Sequence, residues 1–187
     1  MAAVVAGDVH RFTVAEYQRM AEAGVLSATS RTELEDGVII DMSPTGREHA
    51  RLVDLLTGLL HRAGVPANGL DASIYLRTQQ PVEVDDRRQY QPDFSVARGP
   101  LDRYAEHLPR AADTLLVVEV ADTTLGRDLG DKLAAYQHAG FPLIVVVNVP
   151  DRSVHRFERR ATGYDHAILV GEAEWYSGIR VQDVFPD

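Results

Sequence analysis

The sequence predicts an α/β domain built on a mixed central β-sheet flanked by helices, with an N-terminal helix and hairpin ahead of it. Three observations predict this. Residues 114–120 and 142–149 are near-continuous aliphatic runs. The segment between them, from Arg127 to Gly140, has helical spacing, and strands apolar on both faces joined through a helix mark a parallel pair inside a sheet. Residues 153–160 and 164–171 then read as two arms around Ala161–Gly163, an antiparallel return that makes the sheet mixed.

The elements follow in order. Thr13 with Glu16 three residues on, and Val14, Tyr17, Met20 and Ala21 behind, predicts a boxed helix start, with Gly24 as the stop. Its apolar stripe is thin, which puts it outside the core. Leu34 and Val38–Ile40 flank Asp36-Gly37, a dipeptide suited to a tight primed hairpin turn. After the turn at Ser43–Gly46, Leu52, Leu55, Leu56, Leu59 and Leu60 recur at three and four, predicting a strongly buried helix with His49 one turn ahead of the stripe. Residues 70–77 alternate as a strand, Ala72, Ile74 and Leu76 on one face against Ser73, Tyr75 and Arg77 on the other. Pro81–Tyr90 is polar and reads as a connection. Pro92 opens a further strand, where its missing donor is tolerated. Residues 98–112 read as a crossover with one short helix. Asp128 is expected as the N-cap of the helix that Gly140 ends, with Asp131 in its first turn. The closing residues, with Trp175 and Phe185, predict an edge.

Composition narrows the function. A chain of 187 residues, 45% apolar and 25% charged, suits one globular domain, expected over 1–187. There is no cysteine, which removes disulfide frameworks, thiolate zinc sites, iron–sulfur clusters and cysteine nucleophiles. Nineteen basic against 28 acidic residues give −9, which argues against coating nucleic acid by bulk charge and leaves room for a local basic patch. The opening residues lack a basic start and a sustained apolar core, so they read as a loose terminus. No run approaches a membrane span, and the expected compartment is the cytoplasm.

Three residues carry the chemical signal. Glu119 shares a strand face with Leu115, Val117 and Ala121, where a carboxylate needs a cation, a metal or an exposed strand end. Asp93 opens a strand expected in the same sheet. Were the two strands neighbours, the carboxylates would repel unless a cation such as Mg²⁺ or Mn²⁺ sat between them. Lys132 is the only lysine beside 18 arginines, and with Leu129, Leu133 and Tyr136 it falls on the helix face turned to the sheet. Its ammonium would reach the carboxyl pair, to orient or help deprotonate a water and offset phosphoryl charge. A snorkelling lysine over apolar surface accounts for the same spacing. The scattered histidines lack zinc spacing, and residues 126–130 lack a nucleotide-binding glycine pattern. Arg152, Arg156, Arg159 and Arg160 alternate with acids, as a solvated edge does.

From Arg31 to Val149 the chain resembles the Uma2 family, a branch of the PD-(D/E)XK nuclease-like superfamily that includes restriction endonucleases. The resemblance rests on ordered pieces: Glu33–Ile39 with Met42–Gly46 and His49; Pro92-Asp93; Glu119-Val120 followed by Thr123–Asp128 and Asp131-Lys132; then Tyr136 and Ala139-Gly140. It implies a restriction-endonuclease-like core, with Glu33, Asp93, Glu119, Lys132 and His49 as site residues and Asp93 and Glu119 as the Mg²⁺ or Mn²⁺ ligands. His49 would bind substrate phosphate or assist an acid; Glu33, otherwise a solvated hairpin residue, would act through water. In the superfamily the lysine stands two residues after the second acid, a place held here by Ala121, so the helix would supply it instead. Asn148 stands where family members commonly have an acid. The implied function is metal-dependent phosphodiester hydrolysis by a DNA endonuclease, with no membrane partner and with a homodimer presenting two sites to opposite strands. The alternative is a non-catalytic module that keeps the fold and binds divalent ions or a basic protein through the acid cluster. Net charge favours the second and Lys132 the first.

Overall fold

The computed structural model describes residues 9–27, 31–67 and 72–186. The opening residues 1–8, part of the segment read as a loose terminus, and the start of the strand expected from residue 70 lie outside them. In chain order the elements are α1 (Val14–Glu22), β1 (Thr32–Glu35), β2 (Val38–Asp41), α2 (Arg47–Arg62), β3 (Ile74–Thr78), β4 (Val82–Asp85), β5 (Arg88–Tyr90) and β6 (Phe94–Arg98). A 3₁₀ turn at Leu101–Tyr104 precedes β7 (Thr114–Ala121), α3 (Leu125–Asp128), α4 (Asp131–Ala139) and β8 (Leu143–Asn148). The chain closes with β9 (Ser153–Arg160), β10 (Gly163–Leu169), β11 (Glu174–Tyr176), β12 (Ile179–Arg180) and α5 (Val181–Val184).

A six-stranded sheet of order β10-β9-β8-β7-β6-β3 forms the centre. β7 and β8 pair in parallel through the α3–α4 crossover, while β3–β6, β6–β7, β8–β9 and β9–β10 are antiparallel, so the sheet is mixed as the sequence predicts. One face packs on α2, whose Leu52, Leu56 and Leu60 meet Phe94, Val118 and Val147 in the larger core. On the other face, Leu133 and Tyr136 of α4 meet Val117 and Ile144 together with Val82 and Tyr90 of a second sheet. Residues buried on both sides explain why β7 and β8 read as unbroken aliphatic runs.

The N-terminal predictions hold. Thr13 and Glu16 form the full capping box, and the β1–β2 turn puts Asp36 and Gly37 at φ +46° and +75°, the left-handed pair a primed turn requires. A Cβ on Gly37 would lie 2.6 Å from Arg11 Cβ, so the hairpin also seats the chain entering α1.

Three expectations are corrected. Pro81–Tyr90 is no connection: it contains the β4–β5 hairpin, which joins β1 and β2 in a four-stranded sheet of order β2-β1-β5-β4. Val82 and Val84 alternate with Glu83 and Asp85, a period of two masked by the charged turn at Asp86-Arg87. Asp128 does not cap the crossover helix. It ends α3, and the helix restarts after Gly130, where a Cβ would stand 2.5 Å from the Gly126 carbonyl oxygen and only glycine fits. The closing residues form a separate β11–β12 ribbon that buries Trp175 in the α2 core, not an edge of the main sheet.

Candidate active site

The β6–β7 register brings the two acids together. Phe94 pairs with Val118 and Ser95 with Val117, so Asp93, one step before β6, faces Glu119. Asp93 Oδ2 accepts the Val120 N–H at 2.9 Å. Its Oδ1 accepts from His49 Nε2 at 2.8 Å and from the Gln79 amide at 3.2 Å. Burial works against ionising Asp93, but these bonds and the His49 charge hold its carboxyl below the usual range; the Asp93 bond in turn raises His49. His49 stands in the first turn of α2, one turn before the leucines that anchor the helix.

Glu119 is buried, and its Oε1 accepts from the Tyr136 hydroxyl at 2.8 Å and lies 2.9 Å from Lys132 Nζ. Among the described residues its Oε2 has no protein donor. Lys132, also buried, sits 3.2 Å from Glu33 Oε1, so its ammonium bridges Glu33 and Glu119 and does not pair with Asp93. Glu33 is closed on all sides: Gln91 N–H reaches Oε1 at 2.7 Å and Arg127 reaches Oε2 at 2.6 Å. Burial opposes its ionisation, yet Lys132 and these donors keep its carboxyl below the usual range. Glu119 goes the other way. Burial, outweighing Lys132 and reinforced by Asp128, Asp93 and Glu33, pushes its carboxyl up to about 8. Burial would strip the Lys132 proton, but Glu119 and Glu33 overcome it and keep the ammonium charged.

A cleft of about 400 Å³ opens over Asp93, Glu119, Lys132 and His49, with Arg31 and Arg127 at its sides. All five residues singled out from the sequence are therefore near one another, four lining the cleft and Glu33 beneath it as the partner of Lys132 and Arg127. Sequence reading missed Asp128, Tyr136 and Arg127. Asp128 is buried, lines the same cleft and accepts from the Thr124 hydroxyl. Spacing held the signal: Asp128, Lys132 and Tyr136 recur every four residues, one helical face. Asn148, in the place of a family acid, bonds Asp151 instead.

Could the site hold a divalent ion? Its donors are hard oxygens, the kind Mg²⁺ or Mn²⁺ takes. Glu119 Oε2, to which no described residue donates, belongs with Asp93 to the lining of one cleft. Among the described residues no three His, Asp or Glu side chains are grouped as a cage for an ion. The set thus fits an ion held by two carboxylates and completed by water and phosphate, the ordinary manner of Mg²⁺, and does not fit an all-protein cage.

Comparison with known proteins agrees with the architecture. A family model described as "Uma2: Putative restriction endonuclease" matches residues 14–178. No curated protein matches the chain. The fold is similar to the crystal structure of a "putative nuclease belonging to DUF820" from Anabaena variabilis, with a TM-score of 0.67 and 12% identity over 93% of this chain and 97% of that one. At that identity the likeness is one of fold. Among the described residues no helix is long and apolar enough to cross a membrane.

Proposed function

The chain belongs to the Uma2 family, and from that premise we propose that its cleft hydrolyses phosphodiester bonds in DNA with the help of Mg²⁺ or Mn²⁺. The observation that carries this reading is the meeting of three elements at one cleft: Asp93 before β6, Glu119 on β7 and Lys132 on α4, with Lys132 Nζ 2.9 Å from Glu119.

Asp93 and Glu119 would hold the ion. Bound there, it would polarise a phosphoryl oxygen and lower the pKa of a water. The protein's own groups do the rest. His49 and the Val120 N–H fix the Asp93 carboxylate in one orientation, and Tyr136 does the same for Glu119. Lys132 remains an ammonium, so it offsets charge growing on the phosphoryl group and orients water rather than removing its proton. Arg31 and Arg127 supply positive charge beside the cleft of a chain that is −9 overall. A second copy would bring a second cleft to the opposite strand.

A second reading has its own support. Every carboxylate oxygen of Asp93 and Glu33 already has a protein donor, and the described residues offer no three-sided ion cage. A cluster so closed on itself suits a non-catalytic module that keeps the nuclease fold and binds an ion or a basic protein.

One experiment separates the two. Cleavage of single-stranded DNA, double-stranded DNA and RNA is assayed with Mn²⁺, alongside calorimetry of Mn²⁺ binding. Hydrolysis by the wild type that disappears in Asp93→Asn and Lys132→Met supports the enzyme. Mn²⁺ heats in the wild type, absent in Glu119→Ala, without cleavage of any strand support the binding module. Identical heats in wild type and Glu119→Ala remove the metal site.

A further inference from the structure

A second cavity of about 400 Å³ adjoins the cleft, and its chemistry is different. The cleft is rich in carboxylates; among the described residues lining the second cavity none is acidic. Four amide side chains converge there instead, Gln18 from α1, Gln79 after β3, Gln89 on β5 and Gln91 just after it, while Leu26 and Pro81 add apolar wall. Arg31 and Gln91 line both spaces, so the two share a wall at that point.

We infer that this cavity takes a nucleobase of the strand whose phosphodiester lies in the cleft; the inference rests on the phosphodiester reading above and names the part of the substrate it recognises. The physical case is the pairing of amide edges with apolar wall. Gln18 Nε2 donates to Gln89 Oε1 at 3.1 Å. Whichever way the two amides are turned, that bond leaves one carbonyl oxygen and one NH₂ group without a partner among the described residues, an acceptor beside a donor. A base presents the complementary pattern on its edge and an apolar face to each side, and an acceptor beside a donor is the amide pattern that reads such an edge through two hydrogen bonds. Among the described lining residues a phosphate would find one cation, Arg31, at the boundary with the cleft, where the adjoining phosphate belongs. The volume lies in the range of sites for small organic ligands. Gln79 ties the two spaces together. Held at φ +50°, it bonds the Asp93 carbonyl through its N–H and the Asp93 carboxylate through its amide, so the residue that lines the base cavity also orients the acid of the cleft.

The test is binding of a single-stranded oligonucleotide, compared with the same strand made abasic throughout, by fluorescence anisotropy in EDTA so that neither is cut. The base-bearing strand is expected to bind about tenfold more tightly, the scale of one two-bond base contact. Gln18→Leu/Gln89→Leu brings that ratio to about one, and the milder Gln18→Ala, on the outer helix α1, lowers it part of the way. Wild-type protein binding both strands equally overturns the base cavity and leaves the phosphodiester reading standing. A tenfold ratio that survives both variants overturns it as well. Binding of neither strand overturns the base cavity and leaves standing the phosphodiester reading, which rests on the ion that EDTA removes.

Discussion

Lys132 Nζ lies 2.9 Å from Glu119 Oε1, and both side chains are almost wholly buried. The lysine comes from α4 and the acid from β7, so this pair ties the crossover helix to the central strand. With Glu33 3.2 Å away on the other side, one ammonium serves two buried carboxylates from two different sheets.

Removing that ammonium leaves buried negative charge without its partner. Lys132→Met is expected to cost about 3–5 kcal/mol in urea unfolding, the usual penalty for breaking a buried pair from one side. Adding Glu33→Gln to the same chain restores part of the loss, because Glu33 is the neighbour held ionised and that orphaned charge is then gone. If the double variant is no more stable than the single, the cost lies in packing.

Stability also depends on pH through Glu119. Its folded carboxyl titrates near 8 against an ordinary value of 4.5, so between these values the folded state holds more protons than the unfolded one. Stability therefore falls as pH rises through that window. His49, raised above 6.5 by Asp93, acts in the same direction, its contribution being full below 6.5 and lost above the folded value. Denaturation midpoints measured from pH 5 to 8 should decline in the wild type. The decline should be shallower in Glu119→Gln; an unchanged slope would mean that Glu119 is ionised throughout.

His49 supports Asp93 without belonging to the acid pair. His49→Ala leaves Asp93 Oδ1 with the Gln79 amide alone. Mn²⁺ affinity should drop about tenfold by calorimetry, the scale on which partners of metal ligands act. A fall in thermal stability with Mn²⁺ affinity unchanged would make His49 a structural residue only.

Gly37 is a position where a methyl group has no room. At φ +75°, with a would-be Cβ 2.6 Å from Arg11 Cβ and 2.9 Å from the Phe12 carbonyl oxygen, Gly37→Ala combines strain with a clash. A loss of about 1–3 kcal/mol is expected in chemical denaturation. Gly24→Ala serves as the comparison, since its φ is similar and nothing stands within 4 Å. Equal losses in the two would leave only the backbone contribution.

By itself the sequence determined whatever depends on neighbours along the chain. The Thr13–Glu16 box, the Asp36-Gly37 turn, the leucine stripe of α2 and the double-faced strands of the crossover are local patterns of capping, torsion and period. They were legible because helices and tight turns are set within a few residues. Asp93 and Glu119 could be suspected from two strand assignments, and Lys132 from its helix face. Tertiary structure alone decided the partners. Pairing of β5 with β1 aims the Gln91 N–H at Glu33, and these two residues lie tens of positions apart with no shared period. Which carboxylate shares the lysine, and which is left to burial, follows from the dielectric and donors each meets once the two sheets close over α4, and no spacing in the chain records that.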